Sequence, residues 1–132
     1  SYDKHIDNAG GADARKLTVL YYLQPPGWGA PPAGGGAAPV AGGSFRAYPD
    51  ASAPERCVDL APAGDRLLAF WSDSLVHEVT ALEVPPPGDG AAPELDPAHA
   101  RWALTVWLCV DDLAEILPTD PRVEAAHFAH LS

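Results

Sequence analysis

Three residues in the sequence could together bind a metal ion: His5 and Asp7 near its start, and His77 near its middle. His5 and Asp7 are two positions apart, so both side chains leave from the same face of an extended strand. Two imidazoles and one carboxylate can bind Fe(II) through one face and leave its other positions open to reactants. The same residues have simpler interpretations, because a His-x-Asp pattern often arises by chance and a lone histidine is usually a satisfied core residue.

His77 follows a stretch around which the rest of the chain is organised, residues 65–79 with the sequence DRLLAFWSDSLVHEV. The apolar and aromatic run from Leu67 to Trp71 predicts a buried strand. Ser72, Asp73 and Ser74 interrupt this run and predict a turn. His77 would therefore extend from the end of a rigid element.

Further strands are predicted on both sides of that stretch, at Tyr2 to Asp7, Lys16 to Leu23, Ser44 to Tyr48, Cys57 to Leu60 and Arg101 to Val110. In Lys16 to Leu23, alternation places Thr18, Leu20 and Tyr22 on one face and Leu17, Val19, Tyr21 and Leu23 on the other. Both faces are apolar enough that we expect both to be buried. In the last strand, Arg101, Ala103, Thr105, Trp107 and Cys109 share one face.

Two segments rich in proline and glycine, residues 25–43 and 83–98, predict loop insertions that lie outside the core. After the last strand, Asp111 and Asp112 predict the cap of a short helix through Leu117. Asp120 followed by Pro121 predicts a second helix to about Leu131. Strands followed by two short helices predict a single domain with an all-β core, a sandwich or barrel, and short C-terminal helices.

Charge and composition exclude several classes of partner. The 132 residues carry a net charge of −10, which repels a phosphate backbone and excludes nucleic acid as a partner. No apolar run approaches the length of a membrane span. Cys57 and Cys109 form no C-x-x-C pattern, so we expect reduced, buried thiols and a cytoplasmic or nuclear location.

Several motifs occur in a fixed order along the chain: HIDN, RKLTVLYYL, Trp28, GGSFRAYP, DRLLAFWSD, HEV and RWALTVW. In this order they resemble the 2-oxoglutarate-dependent Fe(II) dioxygenases, and more narrowly the EGL-nine type prolyl 4-hydroxylases that act on hypoxia-inducible factor. The resemblance runs from Tyr2 to about Trp107. It implies a double-stranded β-helix, or jelly roll, with Fe(II), 2-oxoglutarate and O2 as cofactor and co-substrates, and ascorbate as a further candidate.

The resemblance also implies roles for individual residues. His5, Asp7 and His77 correspond to the iron ligands of the family. Arg101 corresponds to the arginine that binds the distal carboxylate of 2-oxoglutarate, for which a guanidinium fork is well suited. Tyr22 would add a hydrogen bond to that carboxylate, and the pocket walls would be Leu20, Phe45, Thr105 and Trp107.

The reaction implied is hydroxylation of a proline residue within a protein or peptide, in connection with oxygen sensing. Two alternatives remain open: a 2-oxoglutarate oxygenase with another substrate, and an inactive jelly-roll fragment that acts as a binding module. The family has helices and a tyrosine-bearing strand before its His-x-Asp strand, which this sequence lacks. We therefore expect a chain truncated at its N-terminus, marginally stable or prone to associate through an exposed edge.

Overall fold

The computed structural model describes residues 1–29, 33, 40–50, 52–83 and 100–128. Within these residues the chain forms nine strands: β1 (Tyr2–His5), β2 (Arg15–Tyr22), β3 (Ala41–Gly42), β4 (Phe45–Tyr48), β5 (Val58–Leu60), β6 (Leu67–Trp71), β7 (Val76–Val79), β8 (Leu82–Glu83) and β9 (Ala103–Cys109). A 3₁₀ turn (Leu113–Glu115) follows, and then a short helix, α1 (Pro121–Val123), which continues as a π-helical turn (Glu124–Phe128).

The strands form two larger sheets and one small one. The order is β1-β7-β4-β5 in the first sheet, β6-β2-β9 in the second and β3-β8 in the third, and every pairing is antiparallel. The two larger sheets face each other, since the ring of Phe45 on β4 lies 5.0 Å from that of Phe70 on β6. The predicted all-β core with short C-terminal helices is confirmed, and the functional side chains lie between the two sheets.

The second sheet has one buried and one exposed face. Thr18 and Tyr22 on the inner face of β2 are buried. On the outer face, Leu67, Trp71, Leu104 and Val106 are 59%, 56%, 53% and 43% exposed. On β2 itself the outer side chains of Leu17, Val19 and Tyr21 are only half-buried, so the prediction that both faces of β2 are buried is wrong. Alternation shows which residues share a face, but it does not show whether another element covers that face.

The C-terminal segment packs on the first sheet. Val123 of α1 joins Tyr48 and Val76 in a buried cluster, against which Ile6 and Phe128 also pack. Because this segment covers the end of the sheet that carries β1 and β7, it supports the strands that hold the candidate metal ligands.

Both predicted helix caps are present. The Asp112 carboxylate accepts a hydrogen bond from the Ala114 N–H, and Asp120 accepts one from the Arg122 N–H, each at 2.9 Å. The first helix is shorter than predicted, because it closes as a single 3₁₀ turn that ends at Glu115. The second begins at Pro121 as predicted, and its expected continuation after Phe128 lies outside the described residues.

The two predicted loop insertions are described only at their ends. Strand β3 lies within residues 25–43 and pairs with β8, and Val40 beside it is only 3% exposed. The end of this segment therefore contributes to the core, contrary to the prediction. Residues 30–32, 34–39 and 84–99 lie outside the described parts of the chain.

Two other expectations concern the surface. Cys57 and Cys109 are free, as predicted, but both are exposed rather than buried. Among the described residues, no helix has the length and apolar character needed to cross a membrane.

Candidate active site

The pairing of β1 with β7 brings the two candidate histidine ligands together. His5 lies directly opposite His77 in the antiparallel register, and their ring centroids are 4.2 Å apart. β1 ends at His5, so Asp7 lies two residues beyond the strand, which is shorter than predicted. One potential ligand atom from each of the three residues lies within 4.8 Å of the others.

Backbone carbonyls fix which nitrogen of each imidazole faces the site. The Nδ1 atoms of His5 and His77 lie 2.7 Å and 3.1 Å from the carbonyl oxygens of Asp3 and Leu75. Nδ1 can donate there, which leaves Nε2 of the neutral ring with a lone pair. The two Nε2 atoms lie 3.2 Å and 3.6 Å from Oδ1 of Asp7. Three electron-pair donors this close together can bind a cation between them, and two imidazoles with one carboxylate fit Fe(II).

The electrostatics keep two of the three donors, Asp7 and His77, in the states that a metal needs. Burial raises the pKa of Asp7, but the hydrogen bonds with His5 and Thr18 and the charge of His77 lower it to about 2. Burial lowers the pKa of His77. Burial also lowers the pKa of His5, but its hydrogen bonds to Asp7 and to the Asp3 carbonyl raise it more, so the net shift is upward. At neutral pH the site therefore has an ionised carboxylate and an uncharged His77. The upward shift in the pKa of His5 favours a proton on its Nε2 beside Asp7, and a bound metal would have to displace that proton.

A cavity of about 700 Å³ opens between the two larger sheets. The three candidate metal ligands line it, and so do all but one of the residues assigned to the co-substrate pocket: Leu20, Phe45, Arg101, Thr105 and Trp107. The remaining residue, Tyr22, is fully buried and accepts a hydrogen bond at 3.2 Å from Nη2 of Arg101. The structure thus brings every predicted site residue to one place.

Arg101 is held against an aromatic ring with part of its guanidinium unpaired. Its guanidinium carbon lies 4.9 Å from the ring centroid of Tyr22, and its buried Nε has no partner among the described residues. Gly43, at φ +65°, gives it room, because a Cβ there would lie 3.1 Å from Cδ of Arg101 and 2.8 Å from Cδ2 of Leu82. A half-buried guanidinium with a buried, unpaired Nε fits a carboxylate ligand.

The sequence comparisons identify the family to which this site belongs. Residues 1–109 match the model of the 2OG-Fe(II) oxygenase superfamily. The chain belongs to this superfamily. The superfamily depends on Fe(II) and 2-oxoglutarate, which agrees with the predicted Fe(II), 2-oxoglutarate and O2, and the His5, Asp7 and His77 cluster offers a metal site for the iron. Ascorbate stays a prediction.

Known proteins similar to this superfamily member include prolyl hydroxylases. Egl nine homolog 1 from Homo sapiens is 37% identical over 108 residues, which are 80% of this chain and 19% of that protein. Prolyl hydroxylase EGLN3 from Homo sapiens is 34% identical over 108 residues, 80% of this chain and 34% of that protein. The predicted resemblance to the EGL-nine group is confirmed, although the chain spans only about a fifth to a third of these relatives.

Solved structures show the same fold. A prolyl 4-hydroxylase from Phytophthora capsici matches with a TM-score of 0.53 and 31% sequence identity. The match covers 82% of this chain and 27% of the hydroxylase chain. A prolyl-4-hydroxylase from Pseudomonas putida matches with a TM-score of 0.52 and 25% sequence identity. This match covers 82% of this chain and 44% of the hydroxylase chain. Together with the facing antiparallel sheets, they confirm the predicted jelly-roll core of this oxygenase domain.

The structure adds site residues that the sequence analysis did not assign. The hydroxyl of Thr18 donates to Oδ2 of Asp7 at 2.5 Å and lies 2.8 Å from the hydroxyl of Ser72. Arg15 donates from Nη2 to the backbone carbonyl of Asp7 at 2.6 Å, and its guanidinium carbon lies 5.2 Å from the Trp107 ring centroid. Strand alternation had placed Thr18 with Leu20 and Tyr22, so that signal was present in the sequence. Arg15 gave no such signal.

Proposed function

We propose that this chain forms the Fe(II)- and 2-oxoglutarate-binding part of an oxygenase that hydroxylates a proline residue in a protein or peptide. The observation that carries this proposal is the convergence of Nε2 of His5, Nε2 of His77 and Oδ1 of Asp7 on the wall of the cavity that also contains Arg101. Bound Fe(II) supplies O2 activation coupled to the oxidative decarboxylation of 2-oxoglutarate to succinate and carbon dioxide.

His5, Asp7 and His77 are the proposed metal ligands. The two imidazoles, neutral when they bind a metal, would donate through Nε2, because their Nδ1 atoms are engaged by the Asp3 and Leu75 carbonyls. Asp7 supplies the one anionic ligand, and its pKa of about 2 keeps it ionised across the physiological range. Three protein ligands would leave other positions of a bound iron free for the co-substrates.

Arg101 and Tyr22 are the proposed binding groups for the distal carboxylate of 2-oxoglutarate. The unpaired Nε of Arg101 supports this role, and its stacking on Tyr22 fixes the direction of the fork. Leu20 and Phe45 give the cavity apolar walls that exclude water, with Thr105 and Trp107 on the β9 side. Together these residues would orient the co-substrate toward the metal.

The proline substrate is supported by the similar proteins, whose names state prolyl hydroxylase activity. A cytoplasmic or nuclear location is supported by the two free, exposed cysteines, which are typical of a reducing compartment. A 2-oxoglutarate oxygenase with another substrate would use the same cavity and the same metal ligands, so the experiment must measure the product itself.

The test is oxygenation of proline-containing peptides in the presence of Fe(II) and 2-oxoglutarate, followed by mass spectrometry and by succinate release. Wild type should add one oxygen atom to proline, with succinate formed in step. Asp7→Ala should abolish both, whereas Asp111→Ala, which removes an exposed carboxylate at the end of β9, should leave both unchanged. Succinate formation without proline oxidation would support a different substrate. Neither product from wild type would contradict the proposal and favour a binding module.

A further inference from the structure

The two carboxylate oxygens of Asp7 have different partners. Oδ1 lies 3.2 Å from Nε2 of His5 and 3.6 Å from Nε2 of His77. Oδ2 accepts a hydrogen bond at 2.5 Å from the hydroxyl of Thr18. That hydroxyl lies 2.8 Å from the hydroxyl of Ser72, and both side chains are buried. A short chain of hydroxyl groups therefore ends on the oxygen of Asp7 that faces away from the imidazoles.

The chemistry of the three groups fixes the direction of this chain. An ionised carboxylate only accepts hydrogen bonds, so Thr18 must donate its single hydroxyl proton to Asp7. The contact between the two hydroxyls then requires Ser72 to donate to Thr18. Each donor strengthens the next, because a hydroxyl that accepts a hydrogen bond becomes a better donor.

The backbone holds both hydroxyls in place. Thr18 lies within β2, between Phe70 of β6 and Trp107 of β9 in the sheet register. The N–H of Ser72 donates to the Lys16 carbonyl at 2.9 Å, and its carbonyl accepts from the N–H of Asn8 at 2.8 Å. Ser72 is thus connected to Asp7 twice, through the Thr18 hydroxyl and through the backbone of the residue that follows Asp7.

We propose that Thr18, supported by Ser72, is a positioning residue that occupies Oδ2 of Asp7 and leaves Oδ1 alone to bind the metal. This inference rests on the proposed function, since it takes the cluster of His5, Asp7 and His77 as the metal site. A carboxylate that binds through one oxygen uses a single position of the metal and leaves more positions for the co-substrates. Removal of a residue that hydrogen-bonds to a metal ligand typically lowers metal affinity by about 10–100-fold.

The test measures binding of Co(II), a visible probe for the Fe(II) site, by the chain without metal. Thr18→Val keeps the shape of the side chain and removes the hydroxyl, whereas Thr18→Ser keeps the hydroxyl. Thr18→Val should weaken Co(II) binding by about 10–100-fold and change the visible spectrum, because the freed carboxylate can rotate and bind through both oxygens. Thr18→Ser should restore affinity and spectrum. Ser72→Ala should have a smaller effect, because Thr18 still donates to Asp7.

A purely structural role for Thr18 would lower the melting temperature and leave the affinity and spectrum of the folded chain unchanged. That result, alongside loss of Co(II) binding in Asp7→Ala, would overturn the role of Thr18 and leave the proposed function intact. Failure of wild type to bind Co(II) would overturn both. If circular dichroism shows that Thr18→Val does not fold, Ser72→Ala decides: weaker Co(II) binding in a folded variant supports the proposal, and unchanged binding contradicts it.

Discussion

Asp7 is the residue on which most of the site's interactions converge. Its carboxylate contacts both imidazoles and the Thr18 hydroxyl, and its backbone carbonyl accepts from Arg15. The next residue, Asn8, is fully buried and donates from its side chain to the carbonyls of Asp13 and Arg15. Asp7, the candidate ligand beyond the end of β1, is therefore fixed by side-chain hydrogen bonds where sheet pairing no longer holds it.

Arg101 gives the most specific prediction at the residue scale. A carboxylate–guanidinium pair broken from one side in a buried site costs about 3–5 kcal/mol, which corresponds to a factor of about 100 or more. Arg101→Ala should therefore raise the 2-oxoglutarate concentration required for succinate formation by about two orders of magnitude, with Fe(II) affinity little changed. Arg101→Lys should recover only part of the loss, because an ammonium cannot make a two-pronged contact. A normal co-substrate requirement in Arg101→Ala would show that another basic residue binds the carboxylate.

The sequence predicted the candidate metal ligands and the cavity walls but not all of their neighbours. The ligands follow from residue type and from the family motifs, and the walls follow from alternation along β2 and β9. Arg15 is two residues before Leu17, which lies on the outer face of β2. Strict alternation would therefore place Arg15 on the outer face too, away from the site. The register of β2 with β9 shifts between these two residues, and Arg15 lines the cavity. Such an irregularity depends on pairing with a distant strand, which local sequence does not specify.

At the scale of elements, the turn after β6 fastens the C-terminal segment to the sheets. The buried carboxylate of Asp73 accepts hydrogen bonds through Oδ2 from Nζ of Lys16 at 2.7 Å and from the N–H of Leu117 at 2.8 Å. Lys16 also donates to the carbonyl of Glu115 at 2.7 Å. One carboxylate and one ammonium thus connect β2, the turn after β6 and the segment that leads to α1.

Asp73→Asn should therefore destabilise the fold. Hydrogen bonds to charged groups contribute about 1.5–3 kcal/mol, so we expect a loss of about 2–3 kcal/mol in the free energy of unfolding by urea. Asp112→Asn, which changes a carboxylate that caps an exposed turn, is the matched control and should have a smaller effect. Equal stability of Asp73→Asn and wild type would show that the connection contributes nothing.

The same carboxylate predicts how stability depends on pH. Burial raises the pKa of Asp73, but the hydrogen bonds from Leu117 and Lys16 outweigh it, and the net pKa lies below the ordinary value of 3.8. Because the pKa of Asp73 is lower in the folded state than in the unfolded state, its ionised carboxylate stabilises the fold at pH values above 3.8. This contribution disappears as the pH falls through the lowered pKa. The stability difference between wild type and Asp73→Asn should therefore be constant near neutral pH and shrink below about pH 4. If the stability difference between wild type and Asp73→Asn stayed constant below about pH 4, the lowered pKa of Asp73 would not contribute to stability.

At the scale of the whole molecule, the outer face of the β6-β2-β9 sheet is the largest departure from the sequence prediction. Its exposed side chains include Leu67, Trp71, Trp102, Leu104, Val106 and Leu108. Contiguous apolar patches of more than a few hundred Å² are rare on monomeric proteins. The sequence pattern correctly predicted which residues share this face. It could not predict whether the face is covered, because that depends on which other element packs against it.

This face should cause the 132-residue chain to self-associate. Light scattering should give a mass that rises above that of a monomer with concentration, despite the net charge of −10. Placing lysine at positions 104 and 106 should reduce the association, because two charges would have to be buried. Val58→Lys, at an exposed apolar residue of the other sheet, should not reduce it. A mass equal to that of a monomer at every concentration would contradict the prediction.

Metal stoichiometry tests the central claim most directly. Under anaerobic conditions, equilibrium dialysis against Fe(II) should show one iron atom per chain for wild type and for Asp111→Ala. At the same free Fe(II) concentration, Asp7→Ala and His77→Ala should retain far less than one. If either ligand variant bound iron with the stoichiometry and affinity of wild type, the three converging donors would not be the metal site.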